Sequence, residues 1–417
     1  MYMKGSILLV IPPILVKIED EIQIDGDFAN NLRAYLENFD TVTVACPSAP
    51  ISPNNGLPNT IDFKSICGYE RVNLIILPYP YREDRYIINY RSVAKLLRSE
   101  IESADYLLFS PHAPFDWSTL AAKLAIAMHR SYDMEADWHL ENVSRFIVSE
   151  MSFGFRKLRK YIWILMHTKI YNECMKNSSV SLLQGQDVYD AYKDIAPNPK
   201  KVLNVQITKQ NYISKKDLEE KISRIKERED ITISYAGRAI EMKGPLDWIK
   251  IVDYISKNGV KLQARWYGDG ELLSSMRLEA SALKIDNLVH FPGKVDREVV
   301  VKAMHESDIF LFCHRTAESP RCLVEALAGA APIVGYGSLY AQDLVAQNGG
   351  GVFVEVDDWL ELAEQLRSLD KDREKLAKLV SDAYQTAQLY DRDEAIQYRI
   401  DLIKEFVVPP IRTHTYP

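Results

Sequence analysis

With 417 residues, 47% of them hydrophobic and 26% charged, the chain is long enough for two domains, each able to bury a core of its own. Its 58 acidic against 51 basic residues leave a net charge of −7, which argues against a general nucleic-acid binder. The scattered Cys46, Cys67, Cys174, Cys313 and Cys322 lack CxxC spacing and read as reduced thiols of a cytoplasmic protein, not as a disulfide framework or zinc site, and no apolar run approaches the ~18 residues of a membrane span.

The first strand is read at 6–11 (SILLVI). Prolines interrupt the apolar stretch and no small-residue cleavage site follows, so a strand is expected there and not a signal peptide. Residues 28–39 place Phe28, Leu32, Tyr35, Leu36 and Phe39 at helical spacing. Asp25, Gly26 and Asp27 precede that helix, in a loop expected at the carboxyl edge of a sheet, where open α/β folds bind ligands. The triplet also has an Asp-x-Asp form, which recurs at 370–372 and 391–393. All three are read as turns, caps or solvated charges, and no metal is expected.

Strands at 41–46 (TVTVAC), 73–77 (NLIIL) and 106–109 (YLLF), with a helix at 93–101, predict a parallel, doubly wound sheet. The loop 110–117 (SPHAPFDW) then places His112 directly past a strand, either facing a ligand or packed. Residues 153–176 are the one locally basic and aromatic stretch. They read either as an amphipathic helix on anionic lipid or as a helix packed on the sheet with its basic residues in water. The second is preferred, because the apolar run is too continuous for a clean interfacial face. A strand at 180–183 and a turn at Gly185 close this half. A connecting region begins at 194–201 (DIAPNPKK), and 215–230 reads as a charged surface helix.

The second half opens with a strand at 231–235 (ITISY), the loop 236–245 (AGRAIEMKGP) and a helix at 246–256. Gly237 lets the backbone approach a ligand, and Arg238 and Lys243 put two cations suited to a diphosphate on one βα loop. The Walker pattern is absent. A strand at 261–267 ends in Gly268-Asp269-Gly270, and another at 288–291 ends in 292–295 (PGKV). A helix at 296–307 leads to a buried strand at 308–313 (DIFLFC). Beyond it, Ser319 has the chemistry of an N-cap and Pro320 suits the first helical position of a helix running to Gly329. Unpaired N–H groups and partial positive charge in its first turn attract a phosphate. Glu318 stands just before the cap. Glu325 lies on the helix among Leu, Val and Ala, and its plainer reading is a half-buried glutamate paired with a lysine or arginine.

These elements resemble the retaining glycosyltransferases of family 4, which have the GT-B fold: two Rossmann-like domains facing across a cleft. The resemblance rests on Gly237-Arg238…Lys243-Gly244, on Gly268-Asp269-Gly270, on Phe291-x-Gly293-x-Val295, and on Glu318…Glu325 followed by Ala-Leu-Ala-Gly-Ala-Ala-Pro-Ile-Val. It is specific over 231–406 and only architectural before that. The two glutamates stand one residue closer together than the family's spacing, and strict counting back from Glu325 reaches Ala317; a shortened loop keeps Glu318 as the equivalent.

The resemblance implies an acceptor-side domain at 1–210, a linker and charged helix at 211–230, a donor domain at 231–392, and a segment at 393–417 that crosses back to the first domain. It implies a donor site at Gly237, Arg238, Lys243, Val295, Ser319, Arg321, Cys322, Leu323 and Glu325. In it Arg238 and Lys243 hold the diphosphate, Glu325 the ribose, and Glu318 a sugar hydroxyl or the charge at the anomeric carbon. Glu318, Arg238, Lys243 and His112 are the catalytic candidates. Asp25, Gly26, Asp27, His112 and Asp133, the last where the family often has a second histidine, are the acceptor-side candidates. The implied activity needs no metal or other cofactor. It transfers a hexose with retention from a nucleotide-sugar, UDP-glucose before GDP-mannose, to a saccharide or lipid-linked saccharide in polysaccharide biosynthesis. The expected location is cytoplasmic, with peripheral contact to the membrane surface as an option and no nucleic-acid partner. Alternatives on the same fold are a UDP-N-acetylglucosamine 2-epimerase, which turns over without an acceptor, and a non-catalytic nucleotide-sugar-binding protein.

Overall fold

The computed structural model describes residues 4–18, 21–48, 60–81, 83–149 and 151–411. It forms two units: Met1–Leu203 with Asp393–Pro417, and Asn204–Arg392.

In the first unit the strands are β1 (Ser6–Val10), β2 (Leu15–Ile18), β3 (Glu21–Asp25), β4 (Thr41–Pro47), β5 (Thr60–Asp62), β6 (Val72–Leu77), β7 (Tyr106–Phe109), β8 (Asp133–Ala136), β9 (Val180–Gln184) and β10 (Pro199–Val202). Seven of them make a parallel sheet in the order β10-β9-β8-β7-β1-β4-β6. Helices cover both faces, which is why β1 reads as an apolar run after Ser6 and why every residue of β9 is buried. Ile7 and Leu9 pack on one side with helices Gly26–Asn38 and Arg392–Phe406. Leu8 and Val10 pack on the other with Glu83–Ser103, Trp117–Ala127 and Phe155–Lys176. The helix Arg392–Phe406 is held by Ile396, Ile400 and Ile403 in the core, and by Gln397 and Lys404, which donate or accept hydrogen bonds with Asn38 at 2.9 Å.

Two features of this unit depart from the expectations. β2, β3 and β5 form a small antiparallel sheet that the prolines around it concealed. The chain after β9 is not yet a connection, because β10 adds a parallel strand beyond it. The tail beyond 411 lies outside the described residues.

The second unit contains β11 (Asp230–Ala236), β12 (Lys261–Tyr267), β13 (Val289–Gly293), β14 (Ile309–Phe312), β15 (Ile333–Tyr336) and β16 (Gly351–Val354), all parallel, in the order β13-β12-β11-β14-β15-β16. The expected linker at 211–230 belongs here. Its helix, Lys215–Glu227, buries Leu218 and Ile225, and the buried Lys221 ammonium donates to Gly329 O at 2.9 Å. Arg224 pairs with Asp308 at 2.7 Å. Alternating charge disguised a helix with one apolar stripe. Burial pulls the Lys221 pKa down to about 7, against the pull of Asp308.

Both main sheets reverse their winding beside the first strand, between β1 and β7 and between β11 and β14. The crevice at the carboxyl ends of such a strand pair is where doubly wound sheets bind ligands. Among the described residues no helix is long and apolar enough to cross a membrane. All five cysteines are free.

Candidate active site

At the switch point of the second unit two loops leave the sheet, one after β11 and one after β14. The first is clamped by the turn after β12: Gly237 N donates to Tyr267 O at 2.8 Å, and Ala239 N to Asp269 O at 2.9 Å. This contact is close enough to require glycine at Gly268, whose φ is +131° and where a Cβ would lie 2.1 Å from Gly237 O. Gly237 itself has no positive φ; a Cβ there would meet the Tyr235 hydroxyl at 2.6 Å. Its smallness therefore accommodates the protein's own tyrosine. Residues Glu241–Lys243 make one 3-10 turn, Gly244 turns left-handed at φ +59°, and Pro245 starts the next helix.

The second loop is bound to the first through Arg315. Its N–H donates to Met242 O at 2.9 Å, and its guanidinium reaches Glu241 at 2.6 Å, the buried Asp247 at 2.7 Å and Asp357 at 2.9 Å. Tyr336 Oη also donates to Asp247, at 2.9 Å. One cation thus joins segments following β11, β14 and β16. Beyond it, Lys243 Nζ donates to Glu318 Oε2 at 2.8 Å, and Thr316 Oγ1 to Glu318 Oε1 at 2.8 Å. The lysine and glutamate side chains are only 9% and 18% exposed. Of the two glutamates, it is Glu318 that meets Lys243. Arg238 is exposed and forms no ion pair among the described residues. Beneath the loops, His314 Nε2 and Tyr235 Oη are 2.8 Å apart and buried. Burial first, then the Lys243 charge, drives the His314 pKa well below its ordinary value, so this imidazole is neutral.

The acidic helix spans Arg321–Ala328. Ser319 is not its N-cap: the cap position is Pro320, at φ −71° and ψ 125°, and no side chain caps the end. Pro320 has the extended backbone of a cap residue, so the helix starts one residue later than the Ser-Pro pair predicts. Arg321 is exposed and Cys322 half-buried, with burial pushing the Cys322 thiol up to about 12. Leu323 is a core side chain, and its N–H is already shared with Pro320 O at 3.3 Å, so it offers a ligand little. Glu325 Oε1 lies 3.6 Å from Arg297, the partner its plainer reading required, and the pair stays partly open to solvent. Val295, half-buried, follows β13.

In the first unit the candidates do not converge. Asp25 ends β3 and caps the helix Gly26–Asn38, accepting from Phe28 N at 2.9 Å; Gly26 and Asp27 are already helical, not loop. His112 stands in the loop after β7, at that sheet's switch point, and stacks on Trp138 with ring centroids 4.7 Å apart. Asp116 shapes this loop by accepting from His112 N and Ala113 N at 2.6 Å while capping Trp117–Ala127. Asp133 is not at a loop edge. It is fully buried as the first residue of β8, on the sheet face where Glu135 meets Arg399 at 2.9 Å. Among the described residues no group of three or more His, Cys, Asp or Glu is placed to hold a metal ion.

Arg315, Arg297, Thr316 and the Tyr235–His314 pair were not anticipated. Their partners are mostly distant in sequence, and nothing local marks an arginine as a strut. The only available signal was position, since Arg315 and Thr316 stand three and four residues past a buried strand.

Residues 215–386 match the family glycosyl transferases group 1. No curated protein matches the sequence. Among solved structures, the chain is similar to HepE of Anabaena in complex with UDP, at 16% identity over 96% of this chain and 99% of that one, with a TM-score of 0.67. Sucrose-phosphate synthase of Thermosynechococcus elongatus is 12% identical over 96% and 98%, with a TM-score of 0.66. WaaG, a glycosyltransferase involved in lipopolysaccharide biosynthesis, is 14% identical over 95% and 99%, with a TM-score of 0.64. Residues 215–386 thus form a glycosyl transferases group 1 domain, in a chain whose fold is that of these GT-B glycosyltransferases.

Proposed function

We propose that the protein transfers a hexose with retention from a nucleotide-sugar, UDP-glucose first and GDP-mannose second, to a saccharide or lipid-linked saccharide in polysaccharide biosynthesis. The observation that carries this reading is the Lys243–Glu318 pair at the switch point of the second unit, with Arg238 exposed on the same loop. A lysine held there by a single carboxylate keeps further N–H donors for an incoming anion. Arg238, Lys243 and the helix end at Arg321 and Cys322 stabilise the charge that grows on the departing diphosphate, a contribution that is largest where water is excluded. These cations take over the charge a metal would otherwise balance, so the reaction is metal-independent in this reading.

Glu318, steadied by Thr316, is placed to accept from a sugar hydroxyl or to stabilise positive charge at the anomeric carbon. Glu325, held by Arg297, accepts from the ribose hydroxyls. The leaving phosphate takes the acceptor's proton, so no separate base is required. Of the acceptor-side candidates, His112 stands in the loop shaped by Asp116, Asp25, Gly26 and Asp27 lie at a helix start, and Asp133 is buried in a strand. The choice of UDP draws support from HepE, which has been solved with UDP and with UDP-glucose.

Calorimetric titration of UDP, GDP and ADP, with EDTA present throughout, tests the proposal. Tight binding of UDP that is lost in Arg238→Ala/Lys243→Ala is the expected result. Preferred binding of GDP would move the donor to a GDP-sugar, and binding that requires a divalent cation would overturn the metal-free mechanism. Conversion of a UDP-sugar without any acceptor would point to an epimerase instead.

A further inference from the structure

Two helices of the second unit are joined twice. Arg297, the first residue of helix Arg297–Glu306, reaches Glu325 on helix Arg321–Ala328 at 3.6 Å. Toward their C-terminal ends, Gly329 lies so close to Met304 that a Cβ would come within 2.6 Å of the Met304 carbonyl carbon. Both ends are bridged by Lys221, which is 1% exposed and whose ammonium donates to Gly329 O at 2.9 Å and to Met304 O at 3.4 Å. Carbonyls at a helix C-terminus lack intrahelical partners and carry the negative end of the dipole, so one ammonium can clamp the two together.

The charged groups around Lys221 are mostly engaged elsewhere. Asp308, at the start of β14, is held by Arg224 at 2.7 Å and by the Thr232 N–H at 2.8 Å. Arg224 also donates to Glu306 O at 3.2 Å, and the Glu306 carboxylate lies 3.4 Å from Arg265. On the same helix, His305 Nε2 is 2.9 Å from Asn211 O. On helix Arg373–Ala387, Glu374 pairs with Lys226 at 2.7 Å. Lys221 itself forms no ion pair among the described residues. Burial therefore outweighs the pull of Asp308, Arg224 adds to it, and the ammonium's pKa falls to about 7. Below that pH three charged N–H donors face the two carbonyls; above it the clamp loses a donor and its charge.

We propose that Lys221 is a positioning residue of the donor site: as an ammonium it clamps the C-terminal ends of the two helices, and so keeps Arg297 and Glu325 in register for the ribose. The inference rests on the ribose role given to Glu325 above. It makes donor affinity depend on the protonation of a buried residue that offers the donor no atom, with tighter binding in the protonated state. By linkage, donor binding then takes up a proton near neutral pH.

Calorimetric titration of the intact protein with UDP-glucose, or with GDP-mannose if that is the donor bound, tests this near pH 6, 7 and 8 in buffers of different ionisation enthalpy. Both probes are diphosphate diesters and do not themselves titrate in that range. The wild type is expected to bind about fivefold more tightly near pH 6 than near pH 8, with proton uptake greatest near pH 7. Lys221→Met keeps the length of the side chain and removes the amine, so its affinity should be independent of pH and close to that of the wild type near pH 8. Glu325→Ala should lose the pH dependence as well, because Lys221 acts through that residue. Equal wild-type affinity across the range, or binding without proton uptake, would overturn the proposal whether or not the variants fold. So would a pH dependence that persists in Lys221→Met or disappears in His305→Gln. No binding of either nucleotide-sugar at any pH would overturn the donor assignment itself, and this proposal with it.

Discussion

The two units share a winding order and a switch point, but they build the rim of that crevice from different chemistry. In the second unit it is cross-linked by charge: Arg315 ties three loops together, and Lys243 and Glu318 close over the neutral His314. In the first unit the loop after β7 is shaped by backbone N–H groups donating to Asp116, and it presents the stacked His112 and Trp138 rings. Its charge lies beneath the rim instead, where Glu135 and Arg399, 17% and 11% exposed, pair on the sheet face that holds the fully buried Asp133. A charged rim suits a diphosphate, which must be bound and whose growing charge must be stabilised. An aromatic rim suits the apolar faces of sugar rings.

If that contrast is functional, the largest effects should come from the charged rim. Lys243→Ala is expected to lower kcat by roughly 100-fold or more, the scale of losing one partner of transition-state charge. It also leaves Glu318 without its cation, so Glu318→Gln should cost less in the Lys243→Ala background than in the wild type; steady-state rates of the two single variants and the double variant check this. Unchanged turnover in Lys243→Ala would remove the residue from the site.

Arg315→Met should come next. It strips the buried Asp247 of its guanidinium partner and unties the three segments, so we expect kcat to fall by about tenfold and stability by about 3 kcal/mol. Arg315→Lys retains the charge but cannot span Glu241, Asp247 and Asp357 together, and should recover stability only in part. A strut of this kind raises KM for the donor along with lowering kcat; a loss of stability with normal kinetics would make Arg315 purely structural. A smaller effect is expected of Glu325→Ala: about a tenfold rise in donor KM with kcat little changed, if ribose binding is equal in ground and transition states.

The same contrast explains what could be read from the sequence. The second unit's loops were legible because their determinants are local: a strand, a glycine, two cations and a left-handed Gly244 fall within fifteen residues or so, and Glu318 and Glu325 lie on one strand-to-helix connection and the helix it leads into. The partners of Arg315 were not, since Glu241 and Asp247 lie on another loop, and in a sequence rich in charge nothing distinguishes this arginine. In the first unit the long apolar strands were legible, whereas β8 (DMEA) was not recognised because two of its four residues are acids. Asp133 was accordingly expected from the resemblance alone, on the acceptor side, and not inside a strand. The Ser319-Pro320 pair misplaced a helix start by one residue, because proline's fixed φ suits a cap position as well as the first turn.

The smallest effect, and the sharpest test of the interior charge, is expected at Asp133. Burial raises its pKa well above the usual carboxylate range; Glu135 adds to the rise and Arg399 opposes it. The folded unit therefore keeps a proton that the unfolded chain releases above about pH 3.9. Stability contributed by this group is thus complete below that pH and declines as pH rises toward the raised folded value. Asp133→Asn keeps the shape and removes the ionisation. Its melting temperature should equal that of the wild type near pH 4 and exceed it near pH 7.5 by about 2–4 °C, the equivalent of ~1 kcal/mol. A variant that melts lower at the higher pH would show Asp133 to be ionised and held by Arg399. The interior of the first unit would then be cross-linked by charge as the rim of the second is, and the contrast between the two would be one of position alone.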